Sequence, residues 1–177
     1  MLFRSLLAPK TLLRHRACVS SLDEFGPGEG FRNVLAEKSA GARRVILCSG
    51  KIYFELAAER AQRGLGKTVA IVRLEQLYPL DGAALRTALE PHPKAELVWC
   101  QEEPENMGPF RVLDRSLEEI AGRRFRYAGR PSVATPAVGV HEWHERERKA
   151  VLDVALAVDA PRTSSRSGQV RRKKPRR

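Results

Sequence analysis

Short continuous apolar runs alternate along this chain with longer stretches whose apolar residues recur at helical spacing. Arg44-Val-Ile-Leu-Cys-Ser49 is the first run, closed by Gly50, and it predicts a strand buried on both faces. Lys51 to Arg63 then places Ile52, Leu56 and Ala57 at helical spacing among charges, and Gly64 and Gly66 supply a helix stop. A second, β-branched run follows at Thr68-Val-Ala-Ile-Val-Arg73. Strand, helix and strand in about thirty residues make a βαβ unit. Such a unit implies parallel pairing through a right-handed crossover.

The pattern repeats. Tyr78-Pro79-Leu80 reads as a turn, Asp81 as the N-cap of a helix over 82–90, and Pro91 and Pro93 as its end. Glu96-Leu-Val-Trp-Cys-Gln101 is a third buried strand, and Glu102-Glu-Pro-Glu-Asn-Met-Gly108 a polar loop. A helix over 109–121, a short edge strand over 124–127 and an extended loop over 129–140, with Pro131 and Pro136, come next. The last helix spans about 142–157 and carries Val151, Leu152, Val154 and Ala155 as its apolar stripe. The expected fold is α/β, a three-layer sandwich around a mostly parallel sheet. Its ordered part is expected over 41–158, preceded by a linker over 23–40 rich in Gly.

Composition adds one distinction. The 177 residues are 42% hydrophobic and 30% charged, which suits a single globular domain with trimmings. Of the net charge of +11, eight basic residues lie between Arg162 and Arg177 with no acid among them, leaving +3 for the rest. The basicity therefore belongs to residues 159–177, expected as a disordered tail. That tail has no aromatic residue for base stacking, so any nucleic-acid contact through it is nonspecific. No apolar run approaches the roughly 20 residues that cross a bilayer, so no membrane partner is expected. Cys18, Cys48 and Cys100 lack metal-ligand spacing, and the latter two sit in apolar runs as small buried hydrophobes. Met1 to Leu22 is basic and free of acids, which fits either a transit peptide or the edge of a neighbouring domain.

Candidate chemistry is sparse. Ser49-Gly50-Lys51 joins a strand to a helix N-terminus, where free N–H groups and a lysine favour an anion, although it is no P-loop. Gln101-Glu-Glu-Pro-Glu-Asn106 follows a strand end, where open α/β sheets place functional loops, but lacks an imidazole or second oxygen cluster nearby, so it reads as a structural or interface loop. His141 and His144 are three apart and lack the order of a zinc helix; His15 and His92 have no recognisable partners. The residues alone indicate no catalytic, cofactor-binding or metal-binding constellation.

Four segments in order carry a resemblance: Val45-Ile-Leu-Cys-Ser-Gly-Lys-Ile-Tyr53, Ala70-Ile-Val-Arg-Leu-Glu-Gln-Leu-Tyr-Pro-Leu80, Val98-Trp-Cys-Gln-Glu-Glu-Pro-Glu-Asn-Met-Gly108 and Arg126-Tyr-Ala-Gly-Arg-Pro131. Together they resemble the C-terminal domain of the 2-oxoglutarate dehydrogenase E1 component, a transketolase-like fold. Pro9-Lys-Thr-Leu-Leu-Arg-His15 and Val19-Ser-Ser-Leu22 are similar to the end of that family's pyrimidine-binding domain, so 1–22 is expected to be its stump. In the family, thiamine diphosphate and Mg bind in the other domains. The whole enzyme decarboxylates 2-oxoglutarate and passes the succinyl group to the lipoyl arm of E2. The resemblance thus implies a domain that packs on the remainder of E1 and a second E1 subunit, without turnover alone. It also implies an effector site for a nucleotide or acyl-CoA, at Ser49, Gly50 and Lys51 with Arg126 and Arg130. A stand-alone effector-binding module and a 2-oxoadipate dehydrogenase E1 domain are the alternatives. The compartment is cytoplasmic if the source is bacterial and the mitochondrial matrix if it is eukaryotic.

Overall fold

A computed structural model describes residues 8–158. Five strands form one sheet: β1 (Val34–Ala36), β2 (Arg44–Cys48), β3 (Val69–Leu74), β4 (Glu96–Pro104) and β5 (Arg126–Arg130). Their order across it is β1-β3-β2-β4-β5, with β1 antiparallel to β3 and the other pairs parallel. The helices are α1 (Ile52–Gln62), α2 (Gly82–Leu89), α3 (Phe110–Ala121) and α4 (His141–Leu156). The three-layer α/β sandwich read from the sequence is the observed architecture.

Alternation along each strand divides the core in two. From β2, Val45 and Leu47 join Trp99, Leu85, Leu113 and Leu117 beneath α2 and α3. Ile46 and Cys48 point the other way, to Cys100, Leu56, Leu152 and Ala155 beneath α1 and α4. A strand covered by helices on both faces has no polar side, which is why its sequence is continuously apolar.

Local chemistry sets the helix ends. The Asp81 carboxylate caps α2 by accepting from the Ala84 N–H at 2.9 Å, and also accepts from Asn33 Nδ2 at 3.1 Å. α3 stops at Gly122, whose left-handed φ of 63° suits a residue without a Cβ. At the end of α4 the cap is a distant side chain: buried Arg44 donates through Nη1 to Val154 O at 3.0 Å and Ala155 O at 2.7 Å.

Three features differ from the sequence reading. The segment expected as a linker, 23–40, contributes β1, because the open edge of β3 supplies backbone partners to Val34, Leu35 and Ala36. β4 continues three residues past Gln101, since Pro104 still lies opposite Arg130 across the ladder. β5 lies later than 124–127, with Phe125 instead buried in the core before the strand begins. The expected basic tail, 159–177, and the first seven residues of the expected stump lie outside the described residues.

Candidate functional site

Chain direction opens a crevice above the carboxyl ends of β2 and β4. From β2 the chain turns through α1 on one face to β3; from the neighbouring β4 it turns through α3 on the other face to β5. The two connections diverge, and a cleft at such a switch point is where open α/β sheets bind ligands. The cavity here is about 280 Å³ and is lined by Ser49, Gly50 and Lys51 on one side and Glu102, Glu103 and Pro109 on the other.

Gly50 adopts a φ of 73°, which brings the chain directly from strand to helix. Lys51 is already committed: its Nζ donates to Glu55 Oε1 at 3.2 Å and to Glu102 Oε1. Burial pulls the Lys51 pKa down, but hydrogen bonds and charge from Glu102 and Glu55 outweigh it and hold the group above its ordinary value. The ammonium stays protonated, and an arriving anion would compete with Glu102 for it.

Gln101 organises the β4–α3 loop from beneath. Its Oε1 accepts from Trp99 Nε1 at 2.8 Å and from the Phe110 N–H at 3.1 Å. Its Nε2 donates to Glu103 O at 3.2 Å, Pro104 O at 3.1 Å and Met107 O at 3.4 Å. Gly108 lies so close that a Cβ there would sit 2.9 Å from Gln101 Nε2. The Tyr127 hydroxyl bridges Glu103 O and Arg130 O at 3.1 and 2.9 Å, and Asn106 pairs with both backbone groups of Val133. The loop is thereby tied to β5 and to the segment after it.

Of the five residues expected to form an anion site, Ser49, Gly50 and Lys51 share the crevice. Arg130 stands in an adjoining cleft with Glu102, within 2.6 Å of Glu147 Oε2. That contact is an ion pair by distance but not a well-aligned hydrogen bond, since neither Arg130 Nε nor Glu147 Oε2 has a partner of acceptable angle. Arg126 is four residues back along β5, roughly 13 Å in strand geometry, and faces Glu96 at 3.5 Å at the other end of the sheet. His141 and His144 are exposed at the start of α4. The structural reading of the loop from Gln101 to Asn106 agrees with these bonds, but the particular partners of Gln101, Asn106 and Tyr127 were not legible in the sequence.

The sequence profile described as 2-oxoglutarate dehydrogenase C-terminal matches residues 19–156. This chain belongs to that family. It is similar to the 2-oxoglutarate dehydrogenase E1 component of Brucella anthropi, at 41% identity over 85% of this chain and 17% of the relative. The E1 components of Brucella ovis and Brucella canis are each 40% identical over the same shares. The chain thus spans about a sixth of the length of these relatives.

The loop of this E1 C-terminal domain is heavily hydrogen-bonded because Gln101, Asn106 and Tyr127 each hold backbone to backbone. The donor set does not suit the family's cofactor. The metal that accompanies that cofactor would find no ligands here, since no group of three His, Cys, Asp or Glu fit for a metal occurs among the described residues. No helix among them is long and apolar enough to cross a membrane.

Proposed function

We propose that this chain acts as the packing and dimer-stabilising C-terminal domain of a 2-oxoglutarate dehydrogenase E1, and does not turn over substrate alone. The whole E1 would carry out oxidative decarboxylation of 2-oxoglutarate with thiamine diphosphate and Mg held in its other domains, and transfer succinyl to lipoyl-E2. One observation carries the packing role. Leu13, Val19, Leu22, Phe25 and Phe31, ahead of the sheet, and Tyr78, beside the crevice, are largely exposed, with Phe31 fully so. Five of these lie along one short segment ahead of the sheet, and large apolar side chains left open together in this way mark surface for a partner. The natural partner is the remainder of E1, together with a second E1 subunit. The Brucella relatives favour the bacterial cytoplasm over a mitochondrial matrix.

Co-expression with an E1 lacking its C-terminal domain tests this. The two chains are expected to copurify and to restore 2-oxoglutarate-dependent ferricyanide reduction, while the pure chain with thiamine diphosphate and Mg shows none. Turnover by the pure chain, or failure to copurify, would reject the reading.

The crevice favours a second reading, an effector site for a nucleotide or acyl-CoA at Ser49, Gly50 and Lys51. Calorimetric titration with AMP, acetyl-CoA and succinyl-CoA should give heat that Lys51→Ala abolishes. Absence of heat with all three ends that reading.

A further inference from the structure

α4 divides into two parts by the way it is held. Its second part sets Val151, Leu152, Ala155 and Leu156 into the core, and Arg44 fastens its end. From His141 to Arg148 no side chain is buried. Two ion pairs join that stretch to the body: Glu147 to Arg130 at 2.6 Å, and Arg148 to Glu55 Oε2 at 3.4 Å. The closer contact of Arg148, to Glu145 at 2.6 Å, lies within α4 and does nothing to dock it. Upstream, the chain is fastened at Val133 by Asn106 and at Pro136, whose carbonyl accepts from Arg130 Nη1 at 2.7 Å. Residues 137–148 thus span two secure points, Pro136 and Val151.

Beneath the helical part of this span lies a cleft of about 30 Å³. Ile52, Val151 and Leu152 form its apolar floor, and Glu55, Glu102 and Arg130 its rim. Of the pairs that close it, Arg148–Glu55 is partly solvated, with side-chain exposures of 39% and 24%; Glu147–Arg130 is more enclosed, Arg130 being 12% exposed, but its contacting atoms are not aligned as a hydrogen bond. Such pairs are weak and screened by salt, whereas the apolar contacts of the second half are not. A segment with few buried contacts and solvated ties opens locally while the rest stays folded.

We propose that residues 137–148 are an electrostatic strap, opening as a unit over Ile52, Val151 and Leu152, with Glu55 as its link to the crevice. Glu55 holds Arg148 on the strap through one oxygen and Lys51 at the crevice through the other. Whatever draws on Lys51 therefore shifts the charge balance at the strap. The strap itself needs no ligand, so its failure would leave both readings of the domain's function untouched.

Hydrogen exchange of the full chain, followed by mass spectrometry, tests this. Raising NaCl from about 0.05 M to about 1 M shrinks the screening length to about 3 Å. Loosening of the solvated Arg148–Glu55 pair, together with the poorly aligned Glu147–Arg130 pair, then predicts about a fivefold rise in exchange over 141–148, with 151–156 unchanged. Glu55→Gln at low salt should raise exchange over 141–148 by about threefold. Glu119→Gln, which removes an exposed pair within α3, should leave it unchanged. No rise over 141–148 with salt or with Glu55→Gln overturns the proposal, as does a rise in which 151–156 follows in step.

Discussion

Replacing Arg44 with Met tests whether the end of α4 is held by a charge or only by packing. Met keeps most of the side-chain volume, so the change removes hydrogen bonds without opening a large cavity. Arg44 is 1% exposed and makes four of them: two to the carbonyls of Val154 and Ala155, and two, from Nε at 3.1 Å and Nη2 at 2.6 Å, to Glu96 Oε2. The Ala155 carbonyl is buried, so losing the guanidinium strips an acceptor at about 1–3 kcal/mol, while the partly exposed Val154 carbonyl and Glu96 lose bonds that water replaces only in part. Relief of the arginine's own desolvation offsets part of that. The net expectation is a loss of about 3 kcal/mol in urea unfolding. For a chain of this size it corresponds to a fall of roughly 6–12 °C in Tm. Glu96→Gln should cost no more than about 1 kcal/mol, because Glu96 is 43% exposed and an amide oxygen still accepts. Should Arg44→Met lose less than about 1 kcal/mol, or Glu96→Gln match it, the charged cap is not what holds the helix.

Three further outcomes follow from local geometry. At Gly129 a Cβ would fall 2.2 Å from the Tyr127 hydroxyl, so Gly129→Ala should lose about 2–3 kcal/mol in the same assay, while Gly139→Ala, with open space around it, should lose little; equal losses would contradict this. Buried His92 accepts the Ala42 N–H on Nδ1 at 3.1 Å, and burial lowers its pKa below the ordinary value. The unfolded chain therefore takes up that proton first as pH falls, so this contribution is full above about 6.5 and is lost below it; His92→Asn, measured at pH 7.5 and 5.5, should lose less than the parent chain does. Burial pushes the Cys48 thiol up to about 12 despite nearby Arg73, and raises Cys100 well above its usual range, while Cys18 is exposed. A thiol reagent at pH 8 should thus titrate one cysteine promptly in the native chain and all three in denaturant, and two prompt thiols would show the sheet to be open.

The strands and helices that bury whole faces were legible because burial leaves a pattern. Val45 to Cys48 and Val69 to Val72 had to be apolar throughout, and the stripe of α4 had to repeat at helical spacing, although it buries Leu156 in place of the expected Val154, which is exposed. β1 left no such pattern. Three residues at a sheet edge are selected by the open backbone of β3, and nothing in Val34-Leu35-Ala36 encodes that partner. The extension of β4 through Glu102 and Glu103 was hidden likewise, since backbone pairing with β5 carries it while the side chains turn to solvent or to Lys51. At the candidate site, the turn at Gly50 was readable from one glycine between a strand and a helix. Its electrostatics were not. Glu102 is 51 positions from Lys51, and only the parallel pairing of β2 with β4 brings them together.

Five residues in the segments that carry the resemblance show why motif and mechanism need separate arguments. Gln101, Asn106 and Gly108 belong in sequence to a polar loop at a strand end, better suited to a structural or interface role than to catalysis, and Tyr127 and Gly129 to the last segment of the resemblance. In the structure each serves the backbone: Gln101 satisfies three carbonyls and an N–H, Asn106 satisfies Val133, Tyr127 bridges two strand ends, and the glycines make room for the side chains of Gln101 and Tyr127. A buried amide can be replaced only by a group of the same shape with the same donors and acceptors, so such a hub constrains its sequence as tightly as catalysis would. Its product is a rigid corner that presents Glu102 to Lys51 and fastens the chain at Val133 before the strap. The surfaces on which this domain would act, the crevice and the strap, are thus positioned by residues that contribute no chemistry of their own.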